Sequence, residues 1–186
     1  MVDGVAVDPP LTVAQAERLA AAGLLADRPE TLMAAWDRLG ATWDETVDRA
    51  RRLPDDQVAQ RVGGEWSFVE TQRHLVFTTD AWIGRIVLGR DPAFHPVGLP
   101  PDFMDARMFG IDLDAHPSIG EVLAIRDERR ATVRELLADA TPDDLAREGQ
   151  NGFTVLGAVQ VVMFEEWAHH EYATRDLAKL GSADAP

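Results

Sequence analysis

The fold is decided by the last long stretch of the chain, Thr154-Val-Leu-Gly-Ala-Val-Gln-Val-Val-Met-Phe-Glu-Glu-Trp-Ala-His-His-Glu-Tyr-Ala-Thr-Arg-Asp-Leu-Ala-Lys-Leu180. Leu156, Val159, Val162, Met163, Trp167, Ala173 and Leu177 fall on one arc at 100° per residue, so the stretch reads as a long amphipathic helix. Gly181 stands where a C-terminal glycine cap would close it. Two carboxylate-histidine pairs, Glu165/His169 and Glu166/His170, lie four residues apart on this helix. The arc places Glu166 and His170 near the centre of the apolar face and Glu165 and His169 toward its edge.

Three more long helices are expected. The first, from about Pro29 to Leu53, carries Leu32, Trp36, Leu39, Trp43, Val47 and Ala50 at steps of three and four and is closed by Pro54. The second opens at Ser67, where Ser67 and Glu70 have capping-box spacing, and runs to about Leu88 before Gly89. The third opens on a second such box, Ser118 and Glu121, and runs to about Ala140. No stretch alternates with period two between turn dipeptides, so a sheet has no support. The expected fold is all-α: a single domain over residues 1–186, built as a four-helix bundle.

Two connections stand out. Residues 1–28 form an N-terminal arm with a short helix from Thr12 to Ala22. Gly89 to Pro117 is a proline-rich segment without helical period. Extended, its residues reach roughly 95 Å at ~3.3 Å each, far more than the ~33 Å of a 22-residue helix. Such a crossover can return the chain to the far end, make the second and third helices parallel, and cover one mouth of the bundle. Loop and arm together are expected to shape a pocket. The echo of Leu53-Pro-Asp-Asp in Thr141-Pro-Asp-Asp has two readings: a duplicated helix pair, or proline and acids serving twice as helix-start chemistry.

The 186 residues include no cysteine, and 18 basic against 32 acidic side chains give a formal net charge of -14. That charge argues against a phosphate-tracking groove, so no nucleic-acid partner is expected. Without cysteine there is no thiolate zinc knuckle, iron-sulfur cluster or cysteine nucleophile, so a metal must be held by histidine and carboxylate. Met1 to Pro10 lacks the basic start and apolar run of a signal peptide, and no apolar run approaches the ~20 residues of a membrane span. A cytoplasmic protein without membrane contact is the expectation.

His74, one turn beyond the second helix's capping box, and either pair on the last helix would supply two histidines and one carboxylate. Residues four apart share a helix face and can converge on one ion, leaving further positions open to water or substrate. Glu and His at this spacing are equally an ordinary solvated helix pair, so the residues alone leave both readings open. Trp36, Trp43, Trp82 and Trp167 are expected in the core. His95 and His116 are expected to be exposed, and Arg175 with Asp176 to form a surface ion pair.

Gly64-Glu-Trp-Ser-Phe-Val-Glu-Thr-Gln-Arg-His74-Leu-Val-Phe-Thr-Thr-Asp-Ala-Trp82 and Glu165-Glu-Trp-Ala-His169-His-Glu-Tyr-Ala-Thr-Arg-Asp-Leu177 resemble the signature segments of the DinB-like superfamily. That superfamily includes mycothiol-dependent maleylpyruvate isomerases and related thiol S-transferases. The likeness extends from about Leu32 to Leu180. It implies a four-helix bundle with a long connection between helices two and three, and a divalent metal, zinc or nickel, held by His74, Glu165 and His169. Many relatives carry histidine where Glu165 stands, and the isomerase branch carries glutamate. The helical arc leaves Glu166 and His170 as the alternative register. The implied chemistry acts on a small-molecule substrate, with the metal activating water for hydrolysis or a low-molecular-weight thiol cosubstrate for S-transfer or isomerisation. The alternative is a stress-response protein that binds metal or a small ligand without turnover. A homodimer burying one face is compatible with the composition.

Overall fold

In a computed structural model, which describes residues 1–183, the expected helices form with shifted ends. They are α1 (Val13–Ala21), α2 (Pro29–Ala50), α3 (Asp55–Val58), α4 (Phe68–Thr79), α5 (Ile119–Ala138), α6 (Pro142–Ala146) and α7 (Val155–Ala183). Both predicted capping boxes are made. The Ser67 hydroxyl accepts the Glu70 amide and the Glu70 carboxylate accepts the Ser67 amide, with Ser118 and Glu121 repeating the exchange. The two Pro-Asp-Asp segments start the short helices α3 and α6. Among the described residues there is no strand, only two isolated bridges.

Two ends and one interior stretch differ from expectation. The first long helix stops at Ala50 rather than Leu53. The second is not uniform: after Thr79 it widens into a π-helical stretch, Asp80–Val87, at the point where the buried Asp80 carboxylate accepts Arg129 of α5 and the amide of His95. The last helix runs through Gly181 to Ala183. Glycine tolerates the helical conformation as well as the capping one, and here Gly181 stays within the helix.

Side-chain pairs between helices fix their directions. Asp44 pairs with Arg130 and Asp37 with Arg134, so α2 and α5 run antiparallel. Gln72 meets Arg126 and Asp80 meets Arg129, so α4 and α5 run parallel. Trp66 and His74 face His169 and Glu165, so α4 and α7 are antiparallel. Gln160 reaches Ala26 at one end and His170 reaches Thr46 toward the other, so α2 and α7 are parallel. The four long helices pack in a ring in which the chain runs up, down, down and up. The crossover makes that order possible, as its length allows.

The core between them holds Trp43, Leu32, Leu75, Ile83, Val133, Leu137 and Met163, all nearly inaccessible. Trp36 and Trp43 lie in it as expected, whereas Trp82 and Trp167 are only half-buried at its margin. Burying such side chains supplies ~1.5–3 kcal/mol each, the main stabilisation of a bundle without disulfides.

Two polar devices attach the irregular segments. The buried Gln160 side chain accepts the Asp8 amide and donates to the Ala6 and Ala26 carbonyls, tying the N-terminal arm to α7. There the arm's backbone crosses α7 so closely that a Cβ on Gly157 would collide with the Pro9 carbonyl oxygen. The buried Arg73 guanidinium donates to the carbonyls of Val97, Ala115 and Asp112, and the Leu99 amide donates to the Arg73 carbonyl. One arginine of α4 thus stitches both halves of the crossover onto the residue next to His74.

Candidate metal centre

His74 follows Arg73 on the buried face of α4, and Glu165 and His169 sit one turn apart on α7. Because these helices are antiparallel, three side chains from two elements converge. One ligand atom from each of His74, Glu165 and His169 lies within 4.8 Å of the others. His74 Nε2 is 3.4 Å from Glu165 Oε2. That separation equals the edge of a tetrahedron with bonds of ~2.1 Å, the length at which zinc binds imidazole or carboxylate. Side-chain exposures of 6% for His74, 15% for His169 and 25% for Glu165 describe a cluster shielded on the helix side and reachable at the carboxylate.

Hydrogen bonds set which nitrogens carry protons. His74 Nδ1 donates to the Leu99 carbonyl at 3.0 Å, leaving Nε2 with a lone pair facing Glu165, and the Thr78 hydroxyl lies 3.3 Å from that nitrogen. His169 Nδ1 donates to the Glu165 backbone carbonyl at 2.9 Å and lies 3.4 Å from Glu165 Oε2, so in the neutral ring Nε2 is the nitrogen without a proton. Burial lowers the His169 pKa, and the neighbouring His74 lowers it further. Burial works against the Glu165 charge, but its contacts with His74 and His169 outweigh it and hold the carboxyl below its ordinary range. A deprotonated imidazole nitrogen and a charged carboxylate are the forms a divalent cation requires, and the downward shifts of His169 and Glu165 favour them there.

Trp66 covers the cluster, its ring centroid 4.6 Å from that of His74 and stacked on His169 at 6.1 Å. On either side lies a cavity. One, of about 380 Å³, is polar and touches His169, Trp66, Arg61, Asp102, Tyr172 and Asp176. The other, of about 480 Å³, is walled by aromatic side chains and touches His74 and Glu165. The crossover contributes to both, through Asp102 in the first and Pro101 and Met104 in the second. The N-terminal arm lines neither, because Gln160 and Gly157 hold it against the earlier turns of α7.

The other histidine register is spent on the core. Glu166 is buried and forms a two-pronged ion pair with Arg126 of α5, whose Nε donates to Gln72. His170 Nε2 lies 2.8 Å from the Thr46 hydroxyl, and its ring packs edge-on against Trp43 at 5.1 Å. Neither joins His74. His116 is exposed as expected, but His95 is half-buried, its amide on Asp80 and its Nδ1 accepting the Val97 amide. Arg175 pairs with Glu65 at the surface and with Asp176, which is buried rather than exposed.

Three contributors went unseen at the level of sequence. Arg126 was legible in principle, since it shares the stripe of Val122, Val133 and Leu137 on α5, and an arginine there needs a buried acid. Arg73 and the Leu99 carbonyl had no comparable signal: one acts on backbone atoms and the other is one.

An all-helical chain with two histidines and a glutamate gathered between antiparallel helices, under a long crossover, has the form of a helical bundle with a candidate metal site. A sequence profile of the DinB superfamily matches residues 38–173, from within α2 to within α7, and the chain belongs to that superfamily. No curated protein and no solved structure matches it. Among the described residues no helix is long and apolar enough to cross a membrane.

Proposed function

We propose that the protein is a divalent-metal-dependent enzyme, with zinc or nickel held by His74, Glu165 and His169, acting on a small molecule by thiol transfer, thiol-assisted isomerisation or hydrolysis. The observation that carries this reading is the convergence of His74, Glu165 and His169, one ligand atom from each lying within 4.8 Å of the others, with the Nδ1 of both imidazoles turned to a backbone carbonyl. A divalent cation so held supplies a thiolate or hydroxide nucleophile near neutral pH by lowering the pKa of the bound group.

The chain's own residues do the rest. Leu99 orients His74 and keeps its tautomer. Trp66 shields one side of the two imidazoles, which strengthens the electrostatics between ligands and ion. Glu165 contributes one negative charge, so a bound dication leaves the cluster net positive within an acidic protein and able to draw an anionic group. With no cysteine in the chain, a sulfur nucleophile has to come from a cosubstrate, and the polar cavity beside His169 is the place with room for it.

The test is a turnover assay on protein loaded with zinc or nickel, following consumption of a low-molecular-weight thiol against a panel of electrophiles, with hydrolysis of activated esters in parallel. Metal-dependent turnover abolished by His169→Ala supports the enzyme. Stoichiometric metal binding with no turnover in either assay favours a protein that sequesters metal or a small ligand.

A further inference from the structure

The aromatic cavity beside Glu165 has a floor formed by a single stripe of the second long helix. His74, Thr78, Ala81 and Arg85 follow one another at steps of four, three and four, and all four touch the cavity. The two inner positions carry small side chains, which is why the space exists. Its walls are apolar and mostly aromatic: Phe77, Phe94 and Phe109 pack against one another at centroid distances of 4.6–5.9 Å, with Trp82 and Met104 beside them.

The two ends of this floor differ in charge. One end is His74 with Glu165. The other is Arg85, exposed, and among the described residues no carboxylate pairs with it. Most arginines near the ring of helices are engaged: Arg61, Arg126, Arg129, Arg130, Arg134 and Arg175 each meet an acid. In a chain of net charge -14, a cation left unpaired at the mouth of an apolar cavity is a position for an anion brought by the ligand. In the metal-free chain an anionic head is repelled at the other end by Glu165 and attracted here. From His74 to Arg85 the helix rises at most roughly 16 Å, the α-helical ~1.5 Å per residue being an upper bound where it widens, and about 480 Å³ is within the range of small-molecule sites.

We infer that this cavity binds an aromatic or similarly flat apolar molecule bearing one carboxylate, with the carboxylate on Arg85 and the apolar body over Thr78 and Ala81. The opposite end of the molecule then lies against His74 and Glu165. That this end is the reacting one rests on the metal-dependent reading above; the binding preference does not.

The test uses the full-length chain stripped of metal and kept in chelator, titrated calorimetrically with 2-naphthoate and with neutral 2-naphthylmethanol. Wild type binds the acid at least fivefold more tightly than the alcohol. Arg85→Gln, at an exposed position, loses that preference while its alcohol affinity stays within twofold. Ala81→Phe, which fills the floor, weakens both ligands at least tenfold, with circular dichroism confirming that it folds. An acid preference that survives Arg85→Gln, unchanged binding by Ala81→Phe, or no binding of either ligand at millimolar concentration overturns the inference. Because metal is excluded, naphthoate binding by a chain that never takes up zinc or nickel sinks only the metal reading, and metal uptake without naphthoate binding sinks only this one.

Discussion

The Nδ1 nitrogen of His74 lies 3.0 Å from the carbonyl oxygen of Leu99, which joins the crossover between the second and third long helices to the only histidine of the candidate centre outside α7. A backbone atom of the loop thereby sets the tautomer of a side chain in the bundle. The loop can do so only because Arg73, the preceding residue, holds it by three carbonyls.

Arg73 is therefore a positioning residue for His74. Arg73→Gln keeps a polar group but loses the fork, and its zinc affinity should fall by about 10–100-fold, the usual cost of losing support behind a ligand. Competition against a chromophoric chelator measures it. An affinity within twofold of wild type would detach the loop from the site.

Glu166 and Arg126 are a structural pair, with side-chain exposures of 2% and 3%. Glu166→Ala strands a buried guanidinium and should cost about 3–5 kcal/mol in urea denaturation, whereas Glu166→Leu combined with Arg126→Met should recover most of that loss. A Glu166→Ala protein of wild-type stability would mean that the pair is not formed.

Glu70 gives acid stability a defined window. Burial pushes its carboxyl up, but hydrogen bonds from Arg61 and from Ser67 outweigh this and leave it below the ordinary value of 4.5. A folded-state pKa that is depressed adds stability above the unfolded value, and that addition is lost as pH falls through the folded one. Glu70→Gln should thus be less stable than wild type at pH 7, by no more than about 1 kcal/mol because Arg61 is largely solvent-screened, and the gap should close below about pH 4. Urea midpoints across that range would show it, and a gap that widened in acid would contradict the assignment.

At the other end of the bundle, Gly157→Ala forces the Pro9 carbonyl away and should cost about 1–3 kcal/mol while leaving metal affinity unchanged, since the arm touches neither cavity beside the centre. Thermal melts and chelator competition on the same sample separate the two effects.

The helices were legible because their signals are local: Ser67 with Glu70 and Ser118 with Glu121 start them, and steps of three and four give each its apolar stripe. The arc on the last helix placed Glu166 in the core and Glu165 at the edge, as found, but it did not order the histidines, since His169 and His170 are both half-buried. Depth alone did not say which pair meets His74. That depends on Arg126 arriving from a helix forty residues earlier to neutralise Glu166. The widening at Asp80 was not legible, because it accompanies contacts with Arg129 and the His95 amide that no spacing encodes. Leu99 was invisible for a simpler reason: its contribution is a carbonyl, which every residue has.

The central claim is that His74, Glu165 and His169 hold one divalent cation, and elemental analysis of untagged protein purified with zinc or nickel, compared with His169→Ala and His170→Ala, tests it most directly. The account predicts about one ion per chain for wild type and for His170→Ala, and none for His169→Ala. No ion in the wild type after soaking, or an ion lost on replacing His170 and kept on replacing His169, would contradict it.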